Sequence, residues 1–414
     1  MKRILALTLA LAALLTMAAC GNTGAAQETT AAPTEEKVQT NVAEPLTWEK
    51  INAIPVATDS MTEEELRQIC LDTMRMQLTF TWTPSVETPY NSGFGDKTFY
   101  VGAVYGGAPY QKNRFGNIYK MMYFYDEDNG MMDLSKGQAT IQQFSNQCSS
   151  STFWSWSRVC NTLTYGGTGN ALLANGCLRV GDYTYDDGLI GFNIKSTTDI
   201  CSENGPDVMF SSYAQLKPAD GLVNYSNSAG HVIMVSSEPN IVYNNDNTIN
   251  GAASTLTYMD QSRAWNEQTQ PNGVPYEVEG GIDITISFFD LYNSSYLPFT
   301  IAELNKADTV EKSETTIDYT GQTISIAQLK TARISSNYAI SDITITVKDA
   351  QGNEVYRNLA PTYLQQLVNF SAPVMPSVSN EGLQPYTNGE YTIEVSARIS
   401  TGEKPVVYTG TLVG

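Results

Sequence analysis

The sequence holds one histidine, His231, in 414 residues. A single imidazole excludes a metal site built from several histidines and leaves imidazole chemistry one place to occur. Charge is scarce as well. Asp, Glu, Lys and Arg make up 16% of the chain, where soluble domains average about a quarter. The 24 basic residues face 43 acidic ones, a net charge of −19. So little positive charge leaves no basic stripe to neutralise phosphates, which argues against a nucleic-acid partner and against adhesion to anionic lipid by surface charge. No cluster of His, Cys and carboxylates has ligand spacing, so neither a metal nor a cofactor is expected. After the first twenty residues no apolar run is long enough to span a bilayer. Apolar residues nevertheless reach 42%, enough for more than one core, and the length leaves room for two or three domains.

The N-terminus reads as an address. Met1-Lys2-Arg3 is basic, and residues 4–15 form an apolar run broken only by Thr8. That layout is secretory, and the run is too short to span as a mature helix. Met17-Ala18-Ala19-Cys20 resembles a bacterial lipobox. The resemblance implies a diacylglyceryl group on Cys20, a membrane partner held through that lipid, and a place on the extracellular face of the cell membrane. Residues 1–20 are thus expected to be a signal peptide. Residues 21–45 lack large apolar side chains and are expected to be a disordered tether. The other cysteines are Cys70, Cys148, Cys160, Cys177 and Cys201. Their odd number flags a free thiol in an exported chain, and spacing leaves any pairing open.

Thr62 and Glu65 fit a capping box ahead of a helical apolar face at Leu66, Ile69, Cys70, Thr73 and Met76, which predicts a helix over 62–77. Residues 80–137 are rich in Gly, Tyr and Asn and read as short strands and turns, with 121–125 a short apolar piece. In residues 145–163, Phe153, Trp156, Cys160 and Leu163 share a helical face. Ser145 or Asn146 would cap that helix, so Cys148 falls in its first turn, where the helix dipole favours a thiolate. Residues 222–225 and 231–235 read as strands, the second apolar on both faces with His231 at its start. Residues 244–247 form a hairpin turn, and 254–261 return as a strand with Leu256, Tyr258 and Asp260 on one face. That return would bring Asp260 or Tyr258, with Ser262 as a further candidate, beside His231. From 309 onward, alternating segments such as 343–347 and 391–399 predict about seven short strands and a β-sandwich.

A Cys at a helix start, then a Gly-His strand, then a polar residue on a neighbouring strand is the order of a papain-type hydrolase. Each part has its chemistry: a thiolate nucleophile, an imidazole that moves its proton, a polar group that fixes the ring, and helix-start amides for the oxyanion. Gln147-Cys148-Ser149-Ser150 with Trp154 and Arg158 resembles the Cys helix of CHAP domains. Leu216-Lys217-Pro218-Ala219-Asp220 followed by Gly230-His231-Val232-Ile233-Met234-Val235 is similar to the strand pair that CHAP and NlpC/P60 cell-wall amidases and endopeptidases share, with Ala219 where Gly is usual. Residues 256–261 resemble the CHAP strand that carries the third residue, so the resemblance gives that role to Asp260. Gly107-Ala108-Pro109-Tyr110 is similar to the Pro-Tyr element of NlpC/P60 domains. Gln147 stands where those domains usually carry Asp, and Gln142, six residues before Cys148, occupies the papain-type oxyanion position.

The resemblance implies an α+β papain-like domain with a central antiparallel sheet over 46–308, and the alternating segments beyond it are expected to form an Ig-like β-sandwich over 309–414. It implies Cys148, His231 and Asp260 as catalytic residues, and Tyr110, Gln142 and Gln147 as substrate or oxyanion residues. The expected partner is peptidoglycan or a cell-wall peptide, cleaved at an amide bond. A non-catalytic envelope lipoprotein that binds glycan or a partner protein through the same groove, or through the sandwich, remains the alternative at this point.

Overall fold

A computed structural model describes residues 44–93, 95–163, 177–185, 196–226, 229–269, 275–362, 370–374 and 380–414. Cys20 and the tether before residue 44 lie outside them.

The chain begins with α1 (Trp48–Ala53) and α2 (Glu63–Thr79), followed by β1 (Thr81–Pro84), β2 (Thr88–Asn91), β3 (Asp96–Phe99) and β4 (Tyr105–Gly106). Next come α3 (Ile118–Phe124), β5 (Tyr125–Asp126), β6 (Met131–Met132), α4 (Gln138–Phe144), α5 (Cys148–Trp156), β7 (Cys177–Arg179) and α6 (Thr197–Tyr213). Then β8 (Gly221–Ser226), β9 (Ala229–Val235), β10 (Thr255–Thr269), β11 (Pro275–Ser287), α7 (Phe288–Asn293) and β12 (Leu297–Ile301) complete one ten-stranded sheet, in the order β5-β6-β1-β4-β11-β10-β9-β8-β12-β7. Among the described strands of this sheet, only β1 with β6 and β4 with β11 pair in parallel. The architecture is mixed α+β with several mostly antiparallel sheets.

α2 forms where the capping box placed it. Thr62 Oγ1 accepts from Glu65 N–H at 3.2 Å, and Glu65 Oε2 accepts from Thr62 N–H at 2.7 Å. Its apolar face, with Leu66, Ile69, Met74 and Leu78, packs into a core shared with Phe153 and Trp156 of α5 and the apolar residues of β8 and β9. Trp154, on another side of α5, packs instead with Trp82, Phe144 and Ile118. α5 therefore stands between two apolar cores, and all nine of its residues are buried.

Local structure departs from sequence expectation at several points. α5 ends at Trp156, so Cys160 and Leu163 lie beyond the helix although they are buried. Its N-cap is Gln147, not Ser145 or Asn146, which the chain uses in a bridge to Tyr110. Of the apolar piece at 121–125, residues 121–124 belong to α3, capped by Asn117 Oδ1 accepting from Lys120 N–H at 3.0 Å, and Tyr125 opens β5. The polar stretch before residue 213 contains α6, kinked where Gly205 (φ 77°) precedes Pro206. Ala219 adopts φ 72°, a left-handed conformation that Gly reaches at lower cost, and its carbonyl accepts from Trp156 Nε1 at 2.8 Å.

The C-terminal strands are β13 (Thr315–Ile317), β14 (Thr323–Ser325), β15 (Arg333–Ser336), β16 (Ile340–Lys348), β17 (Glu354–Pro361), β18 (Phe370–Pro373), β19 (Asn388–Ile399) and β20 (Val406–Val413). They make two sheets, β13-β15-β18 and β14-β20-β19-β16-β17. Residues of both sheets, among them Ile334, Ala372, Ile343, Ile345, Val395 and Leu412, form one apolar core. The polar side of β16 is not solvated as simple alternation predicts: Asp342 and Thr344 are buried. The reason is tertiary. The Arg398 guanidinium lies 4.4 Å over the Trp48 ring and 5.1 Å over Tyr119, and its Nε is 3.3 Å from Asp342 Oδ2. Ser400 Oγ donates to Ser157 O at 2.7 Å.

Candidate active site

Cys148 is the first residue of α5 and only 3% exposed. The loop ahead of it is tied down on both sides. Asn146 N–H donates to Pro109 O at 2.9 Å, and Gln111 N–H donates to Asn146 O at 2.8 Å. Tyr110 thus forms a parallel bridge to Asn146, two residues before the thiol. Gln147 Oε1 accepts from Asn113 N–H at 2.9 Å, so this side chain holds a loop. Gln142 lies half-buried on α4, one helix before Cys148.

His231 is the third residue of β9. The β9–β10 register pairs Val235 with Tyr258 and Met234 with Met259. Continued by one more pair, it sets Asp260 opposite Ile233, diagonal to His231 on the same face, within reach of a long side chain. His231 Nε2 lies 2.8 Å from Asp260 Oδ2. The ring is also hydrogen-bonded to Cys148. Each ring nitrogen has one in-plane position, so Cys148 falls to Nδ1.

Burial works against the charge of the His231 ring. The Cys148 thiolate beside it and the Asp260 and Cys148 hydrogen bonds outweigh that burial and raise it from 6.5 to about 10. An imidazolium so stabilised is the counter-ion of a thiolate.

Asp260 depends on a glycine. Its Oδ1 is buried without a hydrogen-bond partner. Gly281 pairs with Asp260 across β10 and β11. A Cβ at Gly281 would lie 2.5 Å from that oxygen, so only a hydrogen there leaves the carboxylate room to turn to His231.

Sequence reasoning missed a layer of buried amides behind the thiol. Gln77 on α2, Asn146 and Gln261 are each inaccessible to solvent. Asn146 Nδ2 donates to Gln77 Oε1 at 3.0 Å, and the Ser150 hydroxyl donates to Asn146 Oδ1. Gln77 Nε2 donates to Ser155 Oγ at 3.0 Å and to Ser151 O at 3.3 Å. Gln261 follows Asp260 on β10, donates to Ala108 O at 2.7 Å and accepts from Ser151 Oγ at 3.5 Å. These amides fasten the Cys helix to the strand that carries Asp260 and to the Pro109-Tyr110 segment. Tyr296 is buried nearby. Burial raises its hydroxyl, and the charges of Tyr258, Asp260 and Cys148 add to the shift.

No disulfide joins Cys70, Cys148, Cys160, Cys177 and Cys201. Burial pushes the Cys160 and Cys201 thiols up to about 12 and raises Cys70 and Cys177 as well. Those four are unreactive thiols at neutral pH. Among the described residues, no group of three His, Cys, Asp or Glu is arranged to hold a metal ion, and no helix is long and apolar enough to cross a membrane. Compared with protein-family models, with curated proteins and with solved structures, the chain matches none of them.

Proposed function

We propose that this chain is a cysteine hydrolase of the CHAP or NlpC/P60 type, cleaving an amide bond of peptidoglycan at the outer face of the cell membrane. On this reading residues 46–308 form a papain-like domain, residues 309–414 an Ig-like sandwich, and Cys20 carries the lipid. The observation that supports it is the hydrogen-bonded series Cys148–His231–Asp260, with the thiol at the start of a rigid helix.

In the reaction the Cys148 thiolate attacks the amide carbonyl carbon and forms a C–S bond. First-turn amides of α5 face the negative charge that develops on oxygen. The C–N bond breaks, and the leaving nitrogen takes the proton from the His231 imidazolium. Water then adds to the thioester. His231 accepts its proton, Cys148 leaves as thiolate, and the acid product departs. Asp260 keeps Nε2 engaged, so Nδ1 points at sulfur throughout. Tyr110, bridged to Asn146 two residues before the thiol, is assigned to substrate contact.

The test is release of soluble fragments from purified peptidoglycan by wild type, Cys148→Ala and His231→Ala. Wild type should release them and the variants should not. A wild type that neither releases fragments nor reacts at Cys148 with iodoacetamide would favour a glycan- or protein-binding module instead.

A further inference from the structure

A pocket of about 320 Å³ opens beside His231, where β8 and β9 meet the start of α6 and the turn after α7. Ligand pockets run from roughly 300 to 1,000 Å³, so this one suits a single ring, not an extended chain. Its wall is made of hydroxyls and a carboxamide, from Thr197, Thr198, Asn224, Ser226, Ser294 and Ser295. Among the described residues its lining holds no Asp, Glu, Lys or Arg, and His231 is its one imidazole. The start of α6 adds little positive pole, because Asp199 Oδ2 already accepts from Ser196 N–H at 3.3 Å and from Ser196 Oγ at 2.9 Å. The one ionised group on the wall, the His231 ring, is already engaged by Asp260 and Cys148, so a charged group would enter without a free counter-ion. A neutral group bearing hydroxyls and an amide exchanges its water for wall donors and acceptors.

The backbone adds a second observation. α7 ends in a Schellman turn: Tyr296 N–H donates to Leu291 O at 3.0 Å, and Ser295 N–H to Tyr292 O at 2.9 Å. Ser295 sits at φ 58°, the left-handed position that Gly usually fills. The chain bears that strain with a residue whose side chain belongs to the pocket wall.

We propose that this pocket is the saccharide subsite of the hydrolase and holds the N-acetylated amino sugar beside the scissile amide. The bond cut then joins glycan to peptide, not two amino acids of a stem peptide. This rests on the hydrolase reading above. The sugar-bearing acyl carbon forms the thioester with Cys148, and the peptide amine leaves with the proton from His231.

Two substrates test it: an N-acetylmuramoyl peptide and the same peptide with a plain acetyl cap, both followed by amine release. Wild type should prefer the first by at least tenfold in kcat/KM. Thr198→Trp, at the exposed rim, and Ser295→Gly should bring the preference close to parity, mainly through KM. Ser295→Gly should keep or raise Tm, which a purely structural serine could also do, but without moving the preference. Equal rates on both substrates for wild type, or an unchanged preference in both variants, would overturn the subsite. Saturation-transfer NMR with methyl N-acetylglucosaminide on the Cys148→Ala chain separates the two readings. A signal lost in Cys148→Ala/Thr198→Trp supports the subsite even where wild type shows no turnover, which would sink only the hydrolase. Absence of any signal overturns the subsite, whatever the turnover.

Discussion

α5 and β16 are both enclosed, by opposite means. Every residue of α5 is buried, yet five of its nine are Ser or Thr. Two of its hydroxyls are satisfied within the helix: Ser155 Oγ donates to Ser151 O at 2.8 Å and Thr152 Oγ1 to Cys148 O at 3.3 Å. Small hydroxyl side chains let the helix sit between two cores while the buried amides Gln77, Asn146 and Gln261 fix its position. β16 instead presents Ile343, Ile345 and Val347 to an apolar core, and buries its polar side only because other elements cover it. The first arrangement specifies position through hydrogen bonds, which lose much when one partner is missing. The second specifies only which face is inward, and tolerates exchange among apolar residues of similar volume.

The largest effect expected is on chemistry. Cys148→Ala or His231→Ala should lower turnover by about 10³-fold or more, with circular dichroism unchanged. Loss of fold instead would mean that α5 is built for packing alone. The next is at the seam between the two regions. Arg398→Ala removes two ring contacts and leaves Asp342 buried without its ion pair, an effect of about 3–5 kcal/mol in urea unfolding, partly recovered by adding Asp342→Asn. An Arg398→Ala chain as stable as wild type would show that β16 needs no cover.

A smaller effect is predicted for the amide layer. Gln261→Ala should destabilise by about 1–3 kcal/mol and slow alkylation of Cys148, whereas Ile345→Val should cost about 1 kcal/mol and leave alkylation unchanged. Equal effects on alkylation would erase the contrast between the two regions. pH gives a further test. Because His231 is raised to about 10 in the fold, its contribution to stability is complete below its ordinary 6.5 and is lost as pH rises toward 10. Tm and Cys148 reactivity should both show a change approaching pH 10 that moves to lower pH in Asp260→Asn. The smallest effect is Thr62→Ala, about 1 kcal/mol from the lost cap.

Much of this was legible in the sequence because the signals were local or periodic. Thr62 with Glu65 marked the start of α2 to within a residue. The alternation in 343–347 marked β16. Cys148 in a first helical turn followed from helix spacing; the antiparallel strand return left Asp260, Tyr258 and Ser262 as partners for His231, and the resemblance to CHAP domains singled out Asp260, which the structure pairs with it. The amide layer was not legible, since Gln77 and Gln261 are residue types that elsewhere cover surfaces, and only tertiary packing tells the two uses apart. α3 escaped because it is only seven residues long and follows a loop rich in Gly and Asn. The pocket escaped because its hydroxyls come from three separated segments.

Adjacent residues of a strand face opposite ways, so β10 presents Asp260 to His231 and Gln261 to Ala108 and Ser151. A slip of one residue would exchange them. A carboxylate would then meet the Ala108 carbonyl, an acceptor that offers it no hydrogen, and the imidazole would meet an amide. The misaligned chain would be penalised as a structure before it could fail as a catalyst. The pairing of β10 thus acts as a proofreader: a chain that has closed around Gln261 has, by the same step, delivered its carboxylate to the histidine.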